Sequence, residues 1–490
     1  MSNHLNRRDF LGRSLVAAGV GAGFAIGGTK SSGRILGAND TIRLGVAGLN
    51  GRGSAHVGEF SRMKNVEITY LIDPDTRTYA GRVAQIKSNG GSTPRTVQDI
   101  RKALDDSNLD AISIAAPNHW HALLTIWGCQ AGKDVYVEKP ASHNIHEGRV
   151  AVEAARKYGR VVQHGTQGRS MQQWADLLAV TKSGKYGKLL VSRGLCYKPR
   201  PSIGIKPDST APEQVDYDLW LGPAPKQPFN DNYVHYNWHW FWDFGNGDIG
   251  NQGVHQMDVA RWMIPGATLP KSVITLGGRF GYTDQGQTPN TQLSVMDFGE
   301  TQLIFEVRGL PTDSYHGEKV GNILHFEEGI VSQVPGKGLR FFPKNAKDAE
   351  GEPLAKVDAP KRGSGGNHFA NFIAGVRSRK TEELNADILE GHYSSALCHL
   401  ANISYRLGES VSFNTRTKTF GDNKEAFETL TRIDEHLSQG NGLKLEGLSY
   451  KFGRVLTVDA KSESFVNDPE ANSLLTRPDR KPYIVPDRIA

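Results

Sequence analysis

Ile42-Arg43-Leu44-Gly45-Val46-Ala47 runs directly into Gly48-Leu49-Asn50-Gly51-Arg52-Gly53. A short β-branched and apolar run that breaks into closely spaced glycines and then opens a helical pattern is a strand–turn–helix unit. Read as G-x-G-x-x-G, its second glycine is replaced by Asn50. Gly48 provides the tight turn and Gly53 the close helix–strand packing, while Gly51 and Arg52 open a helix whose N-terminus faces a pyrophosphate. Asn tolerates left-handed backbone angles better than other non-glycine residues, so the loop can survive the change. Asp73 ends the next apolar run, Val66–Ile72, 25 residues after Gly48. A carboxylate there accepts hydrogen bonds from ribose hydroxyls and repels a 2′-phosphate, which favours NAD over NADP. Read without the loop, Asp73-Pro74-Asp75 is a plain turn.

Outward from this unit the pattern repeats. Ala111–Ala116, Val135–Val137 and Val161–Gln163 are further strand candidates, and 76–88, 98–106, 119–131 and 146–158 carry apolar residues at helical spacing. Strands alternating with helices imply a doubly wound parallel sheet, because each parallel crossover needs a helix to return the chain. Residues 41–165 are therefore expected to form a Rossmann domain, with the ligand at the carboxyl ends of the strands.

The 490 residues are 38 % apolar and 22 % charged, a globular composition. Cys129, Cys196 and Cys398 form no CxxC pair, so no structural zinc site or disulfide framework is expected. The net charge of +6 suggests nucleic acid until it is located. Residues 1–38 hold five cations and one anion, which leaves +2 for the rest. That distribution argues against a nucleic-acid face. The same segment carries Arg7-Arg8-Asp9-Phe10-Leu11 followed by a Gly/Ala-rich apolar stretch from Leu15 to Gly28. It resembles a twin-arginine export signal, so residues 1–40 are expected to be a leader read by the twin-arginine machinery, with a periplasmic or cell-envelope destination. An ordinary basic N-terminus is the alternative.

Two strand ends sharpen the picture: Ala116-Pro117-Asn118-His119-Trp120-His121, and Val137-Glu138-Lys139-Pro140. With the altered glycine loop, Gly165-Thr166-Gln167 and Gly253-Val254-His255-Gln256-Met257-Asp258, they resemble the glucose–fructose oxidoreductase/inositol dehydrogenase/MocA (Gfo/Idh/MocA) family. Gly245–Trp262 and Leu474-Leu475-Thr476-Arg477 resemble an exported bacterial branch of it. The resemblance implies that Glu138 meets the nicotinamide ribose and that Lys139 sits between nicotinamide and substrate. Pro117, Asn118 and His121 would then line the cofactor. His255 is the candidate acid/base, since imidazole titrates near neutrality. Where the family usually has Asp, four residues before this His, the chain has Asn251, which can orient a hydroxyl but carries no proton. Asp248 is either a substitute for that carboxylate or a helix cap.

Residues 166–362 are expected to form an α+β substrate and oligomerisation domain around an open, largely antiparallel sheet, with strands at Ser272–Gly277, Gln292–Phe298 and Gln302–Val307. The aromatic run His235–Trp242 offers Trp238 and Trp240 as a floor for a sugar face, beside Gln167 and Asp248; a packed core is the equal alternative. His235 and His239 lack a third ligand, so no metal is assigned. Residues 363–445 are expected to be helical and to pack back on the Rossmann domain, with 446–490 an irregular tail. The resemblance further implies a homodimer or homotetramer. Three functions remain open: an exported NAD-dependent oxidoreductase acting on a CH–OH group of a sugar or polyol with tightly held nicotinamide; an NAD-dependent glycosidase working by transient oxidation and elimination; and a non-catalytic sugar binder. No GxSxG, Walker or HExxH motif supports another enzyme class.

Overall fold

A computed structural model describes residues 40–344, 350–413, 420 and 422–489. The arginine pair and the apolar stretch of the leader lie outside the described residues.

Strands β1 (Ile42–Ala47), β2 (Val66–Ile72), β3 (Arg95–Val97), β4 (Ala111–Ile114), β5 (Asp134–Val137) and β6 (Val162–His164) form one sheet in the order β3-β2-β1-β4-β5-β6. Every pairing is parallel. This is the doubly wound order, in which the order of strand addition reverses between β1 and β4 and leaves a crevice there. The central strands β1, β4 and β5 are buried on both faces, which is why they read as continuous apolar runs. β3 escaped the sequence reading because two of its three residues are exposed and it carries no apolar pattern. β4 stops at Ile114, so Ala115 and Ala116 already belong to the crevice.

The crossover helices begin where local chemistry directs. Asn144 caps the helix Ile145–Lys157 by accepting the Glu147 N–H at 2.9 Å, and such a cap is worth about 1 kcal/mol. The helix Gln172–Ser183 ends on Gly184 at φ 69°, a left-handed stop that suits glycine.

The second sheet runs from 352–353 through 338–343, 329–334, 320–326, 189–197, 302–308, 291–297 and 272–278 to 449–452 and 409–412. Its pairings are antiparallel except that 302–308 lies parallel to 189–197. The largest core packs this sheet against the helices Gln172–Ser183, Gly253–Trp262 and Ile388–Arg406.

Two expectations need correction. Of 363–445, only the helix His368–Ser378 packs wholly on the Rossmann core, through Phe369, Phe372 and Val376. The helix Ile388–Arg406 bridges both domains, contacting Ile145–Lys157 and the strand 272–278. The helix Lys424–Ser438 instead covers the second sheet, burying Ala426, Ile433 and Leu437. The tail is not irregular. Ser449–Phe452 and Leu456–Asp459 both pair with the strand 272–278, and Tyr483 and Val485 enter the Rossmann core. Strands of two to four residues have too little periodicity to be read from sequence.

Candidate active site

One cleft lies along the carboxyl ends of β1, β2, β4 and β5, roofed by residues from the segment 203–245 and closed at one end by Asn251 and His255. Gly48, Leu49, Asn50, Gly51 and Arg52 line its start. Gly48 has φ +82°, and a Cβ there would stand 2.5 Å from the Ala115 backbone. A Cβ on Gly53 would fall 1.9 Å from the Gly48 carbonyl oxygen. Asn50 needs no positive φ, so the replaced glycine costs the turn nothing. Gly51 starts the helix Arg52–Ser61 with no side-chain cap, so that N-terminus is left for an external anion.

Asp73 lines the cleft and is buried. Its two oxygens accept the Leu49 N–H at 2.7 Å and the Asp75 N–H at 2.9 Å, which fixes the carboxylate against the glycine loop. Burial pushes its pKa up to about 6 against those two bonds. Asp75 also accepts His235 Nε2 at 2.8 Å, which ties the aromatic segment to the end of β2. These residues fit a dinucleotide: the glycine turn leaves room for backbone approach, the uncapped helix faces a pyrophosphate, and Asp73 retains lone pairs for ribose hydroxyls.

Farther along, Glu138 accepts Arg52 Nε at 2.8 Å, His56 Nε2 at 3.1 Å and Gln167 Nε2 at 3.2 Å. Burial alone would raise its pKa, but the His56 bond and the Arg52 charge hold it well below the usual carboxylate range. Pro117 and Asn118 line the same wall. The His121 ring sits between the carbonyl oxygens of Pro140 at 2.6 Å and Ala116 at 2.7 Å, fastening the exit of β4 to that of β5.

Lys139 Nζ donates to Asn251 Oδ1 at 3.1 Å. Burial lowers the Lys139 pKa, with Glu138 pulling the other way. The His255 ring lines the cleft beside these two residues. Burial, helped by the Lys139 charge, lowers its pKa to about 3, so the imidazole is neutral at physiological pH. A neutral ring keeps a lone pair for a proton, burial makes it a weaker base than free imidazole, and an ammonium beside it can hold and acidify the oxygen that gives the proton up.

Not every candidate meets here. Trp238 lines the cleft, but Trp240 is buried away from it with Arg200 over its face. Asp248 is neither a cap nor a lining residue: Arg200 holds it through bonds of 2.7 and 2.9 Å. Gln167 stands on the lining but spends its amide on Tyr136 and Glu138. Half of the aromatic run lines the cleft, as His235, Tyr236, Trp238 and His239, while Phe241, with Phe244 beyond the run, packs into a core with Trp220 and Tyr233. Asp258 is buried and held by Arg169 through two bonds of 2.9 Å. His56 and Trp220 are site residues that the motifs do not announce. For His56 a signal exists, since it follows Arg52 by four residues and so shares its helix face.

Fold and site together define an NAD-binding oxidoreductase domain with a second α/β domain. Residues 42–166 match the oxidoreductase family model for the NAD-binding Rossmann fold, and 203–275 match the C-terminal alpha/beta domain of that family. The chain belongs to the Gfo/Idh/MocA oxidoreductase family. It is 30 % identical over 190 residues to an inositol 2-dehydrogenase of Leifsonia xyli, covering 38 % of this chain and 54 % of that protein. It is 27 % identical over 206 residues to a glycosyl hydrolase family 109 protein of Shewanella pealeana, covering 38 % and 44 %. The alignments thus span about half the length of these relatives. Among solved structures, the WlbA dehydrogenase of Bordetella pertussis, in complex with NADH and UDP-GlcNAcA, shares the fold at a TM-score of 0.56 and 17 % identity, over 75 % of this chain and 97 % of that one.

Proposed function

We propose that this protein is an exported, NAD-dependent oxidoreductase acting on a CH–OH group of a sugar, sugar derivative or polyol. The observation that carries the reading is the convergence of Lys139, Asn251 and a neutral His255 at the end of a dinucleotide cleft. When bound, NAD supplies an acceptor for the hydride that leaves the carbinol carbon. Lys139 holds the reacting oxygen through its ammonium. His255 takes the hydroxyl proton, and Asn251 keeps Lys139 aimed without competing for that proton. Glu138, fixed by Arg52 and His56, presents an ionised carboxylate toward the ribose side.

The leader supports export through the twin-arginine route, with a periplasmic or envelope location. An exported enzyme cannot readily exchange free nucleotide, so tight cofactor retention belongs to the same reading. Assembly as a homodimer or homotetramer is part of it, tested by light scattering.

The likeness to a glycosyl hydrolase family 109 protein favours one second reading. There, oxidation of a ring hydroxyl would acidify the neighbouring C–H, loss of that proton would expel the aglycone, water would add across the double bond so formed, and return of the hydride would restore the hydroxyl. The test is protein purified without added nucleotide, assayed for bound nicotinamide and then given a polyol and glycoside panel. Reduced nucleotide without aglycone release supports the dehydrogenase; aglycone release with the nucleotide back in its starting state supports the glycosidase. Failure to bind any nicotinamide contradicts both.

A further inference from the structure

Besides His255, a second imidazole opens into the cleft. His239 lines it from the turn Asn237–Trp240 and is buried. Tyr236, just before the turn, holds φ at 88°, a costly backbone region for a residue with a side chain, and its carbonyl oxygen accepts the His239 ring Nδ1–H. Strain of this kind persists where the surroundings impose it, and it gathers at working sites. The Trp238 indole stacks on the imidazole at 3.6 Å with 18° between the planes. Behind the turn, a Cβ on Gly245 would stand 2.6 Å from the His239 Cα, so the backbone there has no room to shift.

A carbonyl oxygen only accepts, so Nδ1 carries the ring hydrogen. Burial, helped by the Lys139 charge, holds the His239 pKa well below its ordinary value, and the ring has no second hydrogen. Nε2 is therefore a bare lone pair. It has no hydrogen-bond partner among the described residues and is not sealed from solvent, so it opens on the cleft. Hydrogen bonds tie the turn to the Lys139 end. The Tyr236 hydroxyl accepts Arg200 Nη1 at 2.9 Å, and Arg200 holds the Asp248 carboxylate at 2.7 Å. The Asp248 carbonyl oxygen accepts the Asn251 N–H at 3.2 Å, and Asn251 Oδ1 accepts Lys139 Nζ at 3.1 Å. An acceptor left without a donor in a site that its ligands dry is costly, and a donor on the ligand removes that cost.

We propose, resting on the oxidoreductase reading above, that His239 Nε2 accepts a hydrogen bond from a second substrate hydroxyl, one that does not react. His239 is then a specificity-determining residue, and the substrate class narrows to sugars and polyols with a free hydroxyl at that second position. A carbonyl, ether or carboxylate oxygen there would meet Nε2 lone pair to lone pair.

The test uses NAD-loaded full-length protein and whichever member of a hexose, N-acetylhexosamine and inositol panel reduces the nucleotide fastest. Each non-reacting hydroxyl of that compound is replaced in turn by hydrogen and by fluorine, which cannot donate. At one position both replacements should cost about tenfold or more in kcat/KM, mainly through KM, because stranding the acceptor removes binding common to ground and transition states. His239→Phe, which keeps the stack on Trp238, should lose that factor with the parent compound and nothing more with the two analogues. His239→Gln, which offers an amide oxygen, should recover part of it. A wild type that tolerates fluorine at every position overturns the inference without any variant. An analogue penalty that survives His239→Phe overturns it too, as does a His239→Phe protein whose kcat falls equally for every substrate at unchanged KM, the mark of a proton acceptor. A panel in which no member reduces the nucleotide refutes the oxidoreductase reading instead.

Discussion

Lys139 and His255 act as a pair because burial shifts both away from their ordinary titration. His255 is neutral above about pH 3, so the acid limb of activity should lie far below the value for a free imidazole. Lys139 is lowered, so the alkaline limb, where its ammonium is lost, should fall below the usual lysine range. His255→Ala should cost about 10²–10⁴-fold in kcat, the usual worth of general acid–base catalysis, with NAD binding retained. Asn251→Asp places a carboxylate beside the ammonium, which favours its charged form; the alkaline limb should move to higher pH in a kcat profile. At the other end of the cleft, Asp73 should bind ribose only when ionised. NAD affinity should therefore weaken as pH falls through about 6, and Asp73→Ala should lose affinity and admit NADP, both measured by fluorescence titration. An NADP preference unchanged by Asp73→Ala would remove Asp73 from the ribose.

Among elements, the C-terminal tail holds the roof of the cleft. Arg477 donates to the His119 carbonyl oxygen at 3.2 Å and to that of Asp243 at 3.1 Å, joining the helix Asn118–Gln130 to the aromatic segment. Arg480 donates to the Gly222 carbonyl oxygen at 2.9 Å, and the Tyr483 ring packs edge-on against Trp120 at 5.4 Å. Tyr483→Ala should destabilise the protein by about 3 kcal/mol through lost aromatic burial and speed NAD release, seen by urea unfolding and stopped-flow displacement. None of this was legible in the sequence, because the contacts join residues more than two hundred positions apart and the tail carries no repeating pattern. The six-stranded sheet was far more readable. Its central strands are apolar on both faces, and the glycine loop announces the crevice. The motifs also pointed to Asp73, Glu138, Lys139 and His255, but not to how His56 braces Glu138 or how Arg200 removes Asp248. Trp240 misled because a run of aromatic residues looks the same whether it builds a core or a binding floor.

At the scale of the whole molecule, the second domain contains its own buried charge network. Glu306, fully buried, accepts Arg193 and Arg432 at 2.8 Å, Arg308 at 3.1 Å and the Tyr197 hydroxyl at 2.5 Å. Burial would raise its pKa, but the three guanidinium groups hold it at about 2. A carboxylate depressed in the folded state contributes stability that is complete above its unfolded pKa near 4.5 and is lost as pH falls toward 2. Unfolding free energy should therefore drop across that interval. Glu306→Gln should cost about 3 kcal/mol at neutral pH, because it strands buried cations, and should flatten the acid slope in urea titrations. The two domains meet over the cleft, and the central claim concerns what happens inside it. The most direct measurement is a single turnover on NAD-loaded protein, following reduced nicotinamide by absorbance as sugars are added to wild type and to Lys139→Met. The account predicts reduction by at least one sugar in the wild type and its loss in the variant at equal nucleotide content. Equal reduction in both proteins, or none in the wild type with any sugar or glycoside, would contradict it.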